Sequence, residues 1–230
     1  MAKIIRISKA GPLTIETIYP APRPRESFAA RQGRMNITSQ AMRFQNIRYA
    51  YQRLELQLAA NIRPGDWKVV LTYRPERLPK TKEAAKKDFS AFIRRLRKYR
   101  CNDLCYFYRL EHKHKAGNQY HFHIYMTAGP ESKDDLTAIW GNGIVYLDPI
   151  IIDADNPYEQ LARYMVKEAP DKIGQHLYDH SHHIKKPEYE RIRVPEDTQL
   201  VAPAGSMVLM DTGKAETLYG EHRTIKYMQF

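Results

Sequence analysis

Cysteine and long apolar runs are what this sequence lacks most clearly. Its 230 residues include two cysteines, Cys101 and Cys105, and this number and spacing fit neither a disulfide framework nor a structural zinc site. No stretch approaches the roughly 18 apolar residues of a membrane-spanning helix, and residues 1–9 lack the apolar core of a signal peptide. The sequence therefore predicts a cytoplasmic protein with reduced thiols and no membrane contact.

Acidic residues are in deficit as well. Lysine and arginine number 37 against 26 acidic residues, which gives a formal net charge of +11. The excess is local, because residues 74–115 hold 14 basic and five acidic residues. Such a concentration of positive charge favours a polyanionic partner, and nucleic acid is the commonest one.

Apolar periodicity predicts an α+β domain over residues 66–190. The elements are expected in the order strand, helix, strand, strand, helix, strand, helix. Their predicted positions are strand 66–73, a helix after Thr81, strands 104–111 and 119–126, helix 131–140, strand 144–152 and helix 158–168. The first six match the ferredoxin-like (split βαβ) arrangement, an antiparallel sheet with helices on one face and the other face free for a ligand.

Two segments flank this domain. Residues 1–65 are predicted to form an accessory segment with a basic, proline-rich arm at 21–34 and a long amphipathic helix over Ser39–Ile62. Residues 191–230 form a C-terminal extension, in which alternating residues around Asp211-Thr212-Gly213 predict a terminal hairpin.

His121 and His123 flank Phe122 in the strand predicted at 119–126. Alternate side chains of a strand share a face, so both imidazoles would project from one face while Phe122 packs into the other. If residues 115–117 form a three-residue hairpin loop, Glu111 lies opposite His121 on that face, whereas a two-residue loop would place it on the other. Two nitrogens and one oxygen suit a divalent cation such as Mg²⁺ or Mn²⁺. The alternative is a pair of histidines without any metal role.

Tyr164 and Lys167 are separated by three residues in the helix predicted at 158–168, which places them on one helix face. A tyrosine hydroxyl is a weak nucleophile at its usual pKa near 10, and nearby positive charge activates it. The other candidate nucleophiles are Tyr158 and Tyr178.

These motifs occur in an order that resembles the rolling-circle replication initiators of the HUH endonuclease superfamily. The resemblance includes the strand that ends in Leu71-Thr72-Tyr73, the His121-Phe122-His123 motif preceded by Glu111, and the helical Tyr164-to-Lys167 motif. Ser181 to Pro187 also resembles a stretch found in some plasmid and phage initiators. Because Gln160 stands where some initiators carry a second tyrosine, the chain resembles the single-tyrosine type.

The resemblance implies a metal-dependent endonuclease and strand transferase acting on single-stranded origin DNA. His121 and His123 on a central strand would bind the cation together with Glu111, Tyr164 would attack the scissile phosphate, and Lys167 would neutralise developing charge. The products would be a 5′-phosphotyrosine and a free 3′-hydroxyl, and the reverse reaction would rejoin strands. Since the sequence has no P-loop pattern, a host helicase and a host polymerase are expected partners, with single-stranded or hairpin origin DNA as substrate.

Basic residues near these motifs are the candidate DNA contacts: Arg94, Arg95, Lys98, Arg163, Lys185 and Lys186. A solvated basic surface is the alternative. Two other functions remain open, a single-tyrosine HUH transposase and a non-catalytic nucleic-acid-binding module that uses the same sheet. A relaxase is disfavoured because its tyrosine usually precedes the histidine motif.

Overall fold

The structure is a computed structural model that describes residues 2–21, 39–101, 104–113, 119–155, 157–166, 177–217 and 220–229. Its helices are α1 (Ser39–Asn61), α2 (Lys82–Arg100), α3 (Lys133–Trp140) and α4 (Tyr158–Met165), with a short 3-10 helix at Pro75–Arg77. Its strands are β1 (Lys3–Ala10), β2 (Leu13–Pro20), β3 (Trp67–Leu71), β4 (Tyr106–Lys113), β5 (Gln119–Met126), β6 (Val145–Pro149), β7 (Asp179–His180), β8 (Glu188–Val194), β9 (Met207–Asp211), β10 (Ala215–Thr217) and β11 (Gly220–Met228).

The chain forms two compact units. The first comprises Met1–Ala60, Pro157–Ala162 and Lys185–Phe230, and the second comprises Asn61–Asn156 and Arg163–Ile184. Each unit contains its own antiparallel sheet. Within the described residues, no helix has the length and apolar character needed to cross a membrane.

The sheet of the second unit has the strand order β6-β3-β5-β4-β7, with every neighbouring pair antiparallel. Its first four strands, with α2 after β3 and α3 after β5, reproduce the split βαβ connectivity, so the predicted α+β, ferredoxin-like fold is confirmed. All seven elements predicted after residue 66 are present, with ends shifted by a few residues. The two-residue strand β7 was not predicted.

One face of this sheet is covered by α2 and α3. Apolar residues of α2 recur on one helix side and pack with Phe122, Trp140 and the inward side chains of β3 and β6. Phe89 stacks on Phe122 with ring centroids 4.8 Å apart. The Thr81 hydroxyl accepts a hydrogen bond from the Ala84 amide and begins α2 as the predicted cap. This packing leaves the histidine-bearing face of β5 on the opposite side of the sheet.

The sheet of the first unit combines strands from the two ends of the chain. Its order is β10-β11-β2-β1-β8, and β9 also pairs with β11. The predicted terminal hairpin is confirmed, because β9 and β11 pair around the Asp211-to-Gly213 turn. The sequence analysis did not predict β1, β2 or β8. Gly11 turns β1 into β2 with φ 55°, and a Cβ there would lie 2.2 Å from the Ala59 carbonyl oxygen, so the turn requires glycine.

A buried lysine joins three elements of the first unit. Lys226 Nζ of β11 donates to Glu55 Oε1 of α1 at 2.8 Å and to Glu159 Oε2 of α4 at 2.6 Å. Burial alone would lower the pKa of Lys226, but the two carboxylates outweigh it and raise that pKa above its usual value. The ammonium group is therefore retained in the folded protein at neutral pH.

Candidate active site on the face opposite α2 and α3

The histidine-bearing face of β5 also carries side chains of β4. Glu111 is the direct cross-strand partner of His121, and Arg109 is the partner of His123. Directly paired residues share a face, so Glu111, His121 and His123 lie on one side of the sheet. Phe122 is fully buried on the other side. The predicted pairing of Glu111 with His121 is confirmed, while the loop residues 114–118 lie outside the described residues.

His123 connects Glu111 to Tyr164. Its Nε2 lies 3.0 Å from Glu111 Oε2, and its Nδ1 lies 3.2 Å from the Tyr164 hydroxyl. An ionised carboxylate only accepts hydrogen bonds, so Nε2 donates to Glu111 when the glutamate is charged. A neutral imidazole then has Nδ1 free of a proton, and Nδ1 accepts from the hydroxyl of Tyr164. The contact orients the phenol oxygen toward the histidine face.

Tyr164 is the accessible tyrosine of this arrangement. It is 40% exposed, and its ring meets the His123 ring edge to face at 5.4 Å between centroids. Lys68 Nζ of β3 lies over the same ring, 5.0 Å from its centroid, within the range of a cation–π contact. Arg109 donates from an Nη atom to the Met165 carbonyl at 3.3 Å, next to Tyr164 in the chain. Both contacts hold Tyr164 against the sheet.

Neighbouring tyrosines are less suited to nucleophilic attack. Tyr158 is 1% exposed, and Tyr178 is partly buried with its ring near His180. Tyr125 lies two residues beyond His123, and burial, followed by the nearby Tyr164, raises its pKa well above the usual value. Tyr125 is therefore kept neutral, and Tyr164 is the exposed phenol that contacts His123.

The fit of a divalent cation rests on Glu111 and His123. Two ligands bound at about 2.1 Å and at right angles around one cation are about 3.0 Å apart, which is the separation of His123 Nε2 and Glu111 Oε2. His121 shares their face, and its Nε2 is buried. Among the described residues, however, no three His, Cys, Asp or Glu side chains are grouped so that they could hold a metal ion. The donor types fit a cation, and two of the three donors have suitable spacing.

The predicted basic residues are not gathered around this site. Arg94, Arg95 and Lys98 are exposed on α2, which packs on the opposite face of the sheet. Arg95 donates to the Ile139 and Trp140 carbonyls at 2.8 and 3.2 Å and so stabilises the end of α3. Arg163 is exposed and precedes Tyr164 in α4.

Three other predicted basic residues have different positions. Lys185 and Lys186 are exposed in the first unit. Lys167, the predicted charge-neutralising residue, lies outside the described residues.

Lys68 and Arg109 are site residues that the sequence analysis did not single out. Each is a cation within an otherwise largely apolar strand, at the alternating position that faces Tyr164 or His123. That alternation was a usable signal for Lys68, because Lys68, Val70 and Thr72 must share the face away from the core. The contact with Tyr164 itself depends on tertiary structure.

Residues 66–169 match the sequence model of a family of replication-associated proteins, the ORF2 family. The matched region includes Glu111, His121, His123 and Tyr164 and covers rather less than half of the chain. Searches of curated proteins and of solved structures found no match. The family match is consistent with a role in the initiation of replication and with an associated endonuclease activity.

Proposed function

We propose that this protein initiates DNA replication by nicking single-stranded origin DNA with Tyr164 as the nucleophile. The observation that carries the proposal is the Glu111–His123–Tyr164 arrangement, in which an exposed phenol is hydrogen-bonded to an imidazole that a carboxylate orients. The match of residues 66–169 to a replication-associated family supports the same function. Rolling-circle replication is the form of initiation that this chemistry serves.

The proposed reaction is a transesterification. The Tyr164 oxygen attacks the scissile phosphorus, the bond between phosphorus and the 3′ oxygen breaks, and the DNA 5′ phosphate becomes esterified to tyrosine. The phenol loses its proton and the departing 3′ oxygen gains one, so the step consumes no oxidant or reductant. A polymerase extends the 3′-hydroxyl, and attack of a 3′-hydroxyl on the phosphotyrosine rejoins the strands. Unwinding is left to a separate helicase.

His121, His123 and Glu111 are the residues that would hold a divalent cation, Mg²⁺ or Mn²⁺. Such a cation would supply Lewis-acid polarisation of the scissile phosphate. Lys68 keeps the phenol ring on the sheet face, and Arg109 fixes the backbone beside it. Lys167, Arg163 and the basic residues of α2, Lys185 and Lys186 are proposed to contact phosphates.

Nicking of labelled single-stranded origin oligonucleotides tests the proposal directly. The wild-type chain is incubated with Mn²⁺ or with EDTA, and products are separated on denaturing gels. We expect a nick and a covalent protein–DNA adduct with Mn²⁺ and neither with EDTA. Tyr164→Phe is expected to abolish the adduct, because it removes the attacking oxygen while keeping the ring. His123→Ala is expected to reduce it by a factor of about 100 or more, as the loss of general acid–base or ligand groups does.

Tyr178→Phe is the matched control, since it removes another tyrosine hydroxyl of the second unit and should leave the adduct intact. An adduct that persists in Tyr164→Phe and disappears in Tyr178→Phe would move the nucleophile. Tight binding without cleavage of any origin strand, with or without metal, would contradict the enzymatic proposal and favour a non-catalytic binding module.

A further inference from the structure

The strand β6 presents two large exposed side chains at the edge of the second unit's sheet. Val145 and Leu147 pack into the core beneath α2 and α3. Ile144 and Tyr146 have the opposite parity, and they are 53% and 51% exposed. Large apolar side chains exposed side by side are typical of binding surfaces rather than of ordinary protein surface.

Sheet register aligns Tyr146 with the candidate active site. Tyr146 is the cross-strand partner of Val70, and Val70 is the partner of His123. Directly paired residues share a face, so Tyr146 and His123 lie on the same face of the sheet. Two strand spacings separate their backbones, about 10 Å. The exposed phenol ring of Tyr146 is thus a near neighbour of the Tyr164–His123 pair across β3.

Basic side chains accompany this aromatic position. Lys68 lies two residues before Val70 on β3, diagonal to Tyr146 and paired directly with Asp148. Arg74 is exposed, and its amide donates to the Asn142 carbonyl at 2.9 Å, which places it beside the segment that leads into Ile144. An aromatic ring between cations suits a polyanion that also has flat apolar rings, as single-stranded nucleic acid does.

We infer that Tyr146 is a stacking platform for a base of the single-stranded DNA that occupies the candidate active site. The inference rests on the proposed function, and it adds a base-contacting position beside the scissile phosphate. Ile144 extends the apolar surface along the same face, while Lys68 and Arg74 lie near the flanking phosphates. Stacking uses the flat face of a base, so the position contributes affinity with little dependence on sequence.

Equilibrium binding in EDTA tests the inference without the nicking reaction. A fluorescently labelled single-stranded oligonucleotide is titrated with wild type, Tyr146→Ala and Tyr146→Phe. Tyr146→Ala is expected to weaken binding about 5- to 150-fold, the effect typical of one lost base–aromatic stack. Tyr146→Phe keeps the ring and is expected to bind within about threefold of wild type. The slope of log affinity against log salt should stay the same in both variants, because neither removes a phosphate contact.

Tyr189→Ala is the matched control, since Tyr189 is 64% exposed in the first unit and is expected to leave binding unchanged. A 2-aminopurine base scanned along the oligonucleotide should show one position whose fluorescence changes on binding to wild type and to Tyr146→Phe but not to Tyr146→Ala. Circular dichroism melting confirms that each variant folds. Equal affinity of Tyr146→Ala and wild type would overturn the inference, as would a Tyr146→Phe variant that binds as weakly as Tyr146→Ala.

The two proposals fail in different ways. If wild type forms the Tyr164 adduct while Tyr146→Ala binds as tightly as wild type, only the stacking inference is wrong. If no adduct forms with any origin strand but Tyr146→Ala weakens binding, the stacking inference holds and the nicking proposal is wrong. If wild type binds no single-stranded DNA, both are overturned.

Discussion

Lys68 contacts the candidate nucleophile through the face of its ring rather than through its hydroxyl. Lys68 Nζ lies 5.0 Å from the Tyr164 ring centroid, and a cation–π contact contributes about 0.5–2 kcal/mol. We predict that Lys68→Met slows adduct formation about 2- to 30-fold under single-turnover conditions. Lys68→Arg should recover most of the rate, because a guanidinium also stacks on aromatic rings.

The control for this prediction is Lys86→Met, which removes an exposed lysine from α2, across the sheet from Tyr164. It should leave the single-turnover rate at saturating DNA at the wild-type value. A Lys68→Met variant as fast as wild type would show that the ring contact has no role in positioning Tyr164.

A buried ion pair at the end of α2 is a second residue-scale feature. Arg100 makes a bidentate contact with Glu131 and donates to the Thr127 carbonyl at 2.8 Å, and both charged side chains are almost wholly buried. Removing one partner leaves an uncompensated buried charge, so Arg100→Met should destabilise the fold by about 3–5 kcal/mol. Urea unfolding followed by tryptophan fluorescence measures this, because both tryptophans lie in the second unit. Arg94→Met, exposed on the same helix, should change stability by less than about 0.5 kcal/mol.

Site residues were predictable where a local rule places them. Strand alternation puts His121 and His123 on one face whatever the rest of the chain does, and an odd hairpin loop adds Glu111. The hydrogen bond from Tyr164 to His123 joins residues 41 apart in the sequence. No periodicity encodes such a contact, so only the order of motifs indicated it. The distance between Lys68 and Tyr164 could not be predicted for the same reason.

At the scale of elements, α3 shows how a short helix depends on its cap. Ser132 Oγ accepts from the Asp135 amide at 3.1 Å, and Asp135 Oδ2 accepts from the Ser132 amide at 2.9 Å, which forms a capping box. Ser132→Ala should cost about 1 kcal/mol of unfolding free energy, measured in urea by tryptophan fluorescence. Ser90→Ala, in the middle of α2, is the matched control and should be neutral or slightly stabilising, since alanine favours helix interiors. Equal losses in both variants would contradict the capping role.

Elements with an apolar stripe were predictable, and elements without one were not. The second helix was predicted because its apolar residues recur at helical spacing behind Thr81, and α2 begins there. In contrast, the side chains of β8 from Glu188 to Arg193 are all exposed, and the strand joins its sheet through backbone pairing with β1. A strand with no buried side leaves no alternation of apolar residues to detect. The hairpin of β1 and β2 did carry β-branched residues around Gly11, a signal that was available and not used.

At the scale of the whole chain, the first unit depends on pairing between its two ends. Tyr227 of β11 pairs with Thr14 of β2, and its hydroxyl donates to Glu16 Oε1 at 2.7 Å across more than two hundred residues of sequence. Local patterns predicted the terminal hairpin but gave no information on which strand would lie beside it. Long-range strand pairing is set by the burial of complementary faces, which becomes visible only in the assembled sheet.

The two neighbours Lys226 and Tyr227 make this sheet sensitive to alkali. Carboxylates raise the pKa of Lys226 above its unfolded value, and burial with the Glu16 hydrogen bond raises the pKa of Tyr227 to about 12. Both groups favour folding in their protonated forms. Their contributions are therefore complete below the unfolded pKa values near 10 and are lost as pH rises through the folded values.

We predict that the unfolding free energy of the first unit falls between about pH 10 and pH 12. Urea unfolding followed by far-ultraviolet circular dichroism at a series of pH values measures the fall. Tyr227→Phe should flatten part of it, because phenylalanine keeps the buried ring and has no proton to lose. Tyr189→Phe, which alters an exposed tyrosine on β8, should keep the wild-type profile. If stability were constant across this range, or if both variants behaved alike, the coupling of β11 to pH would be wrong.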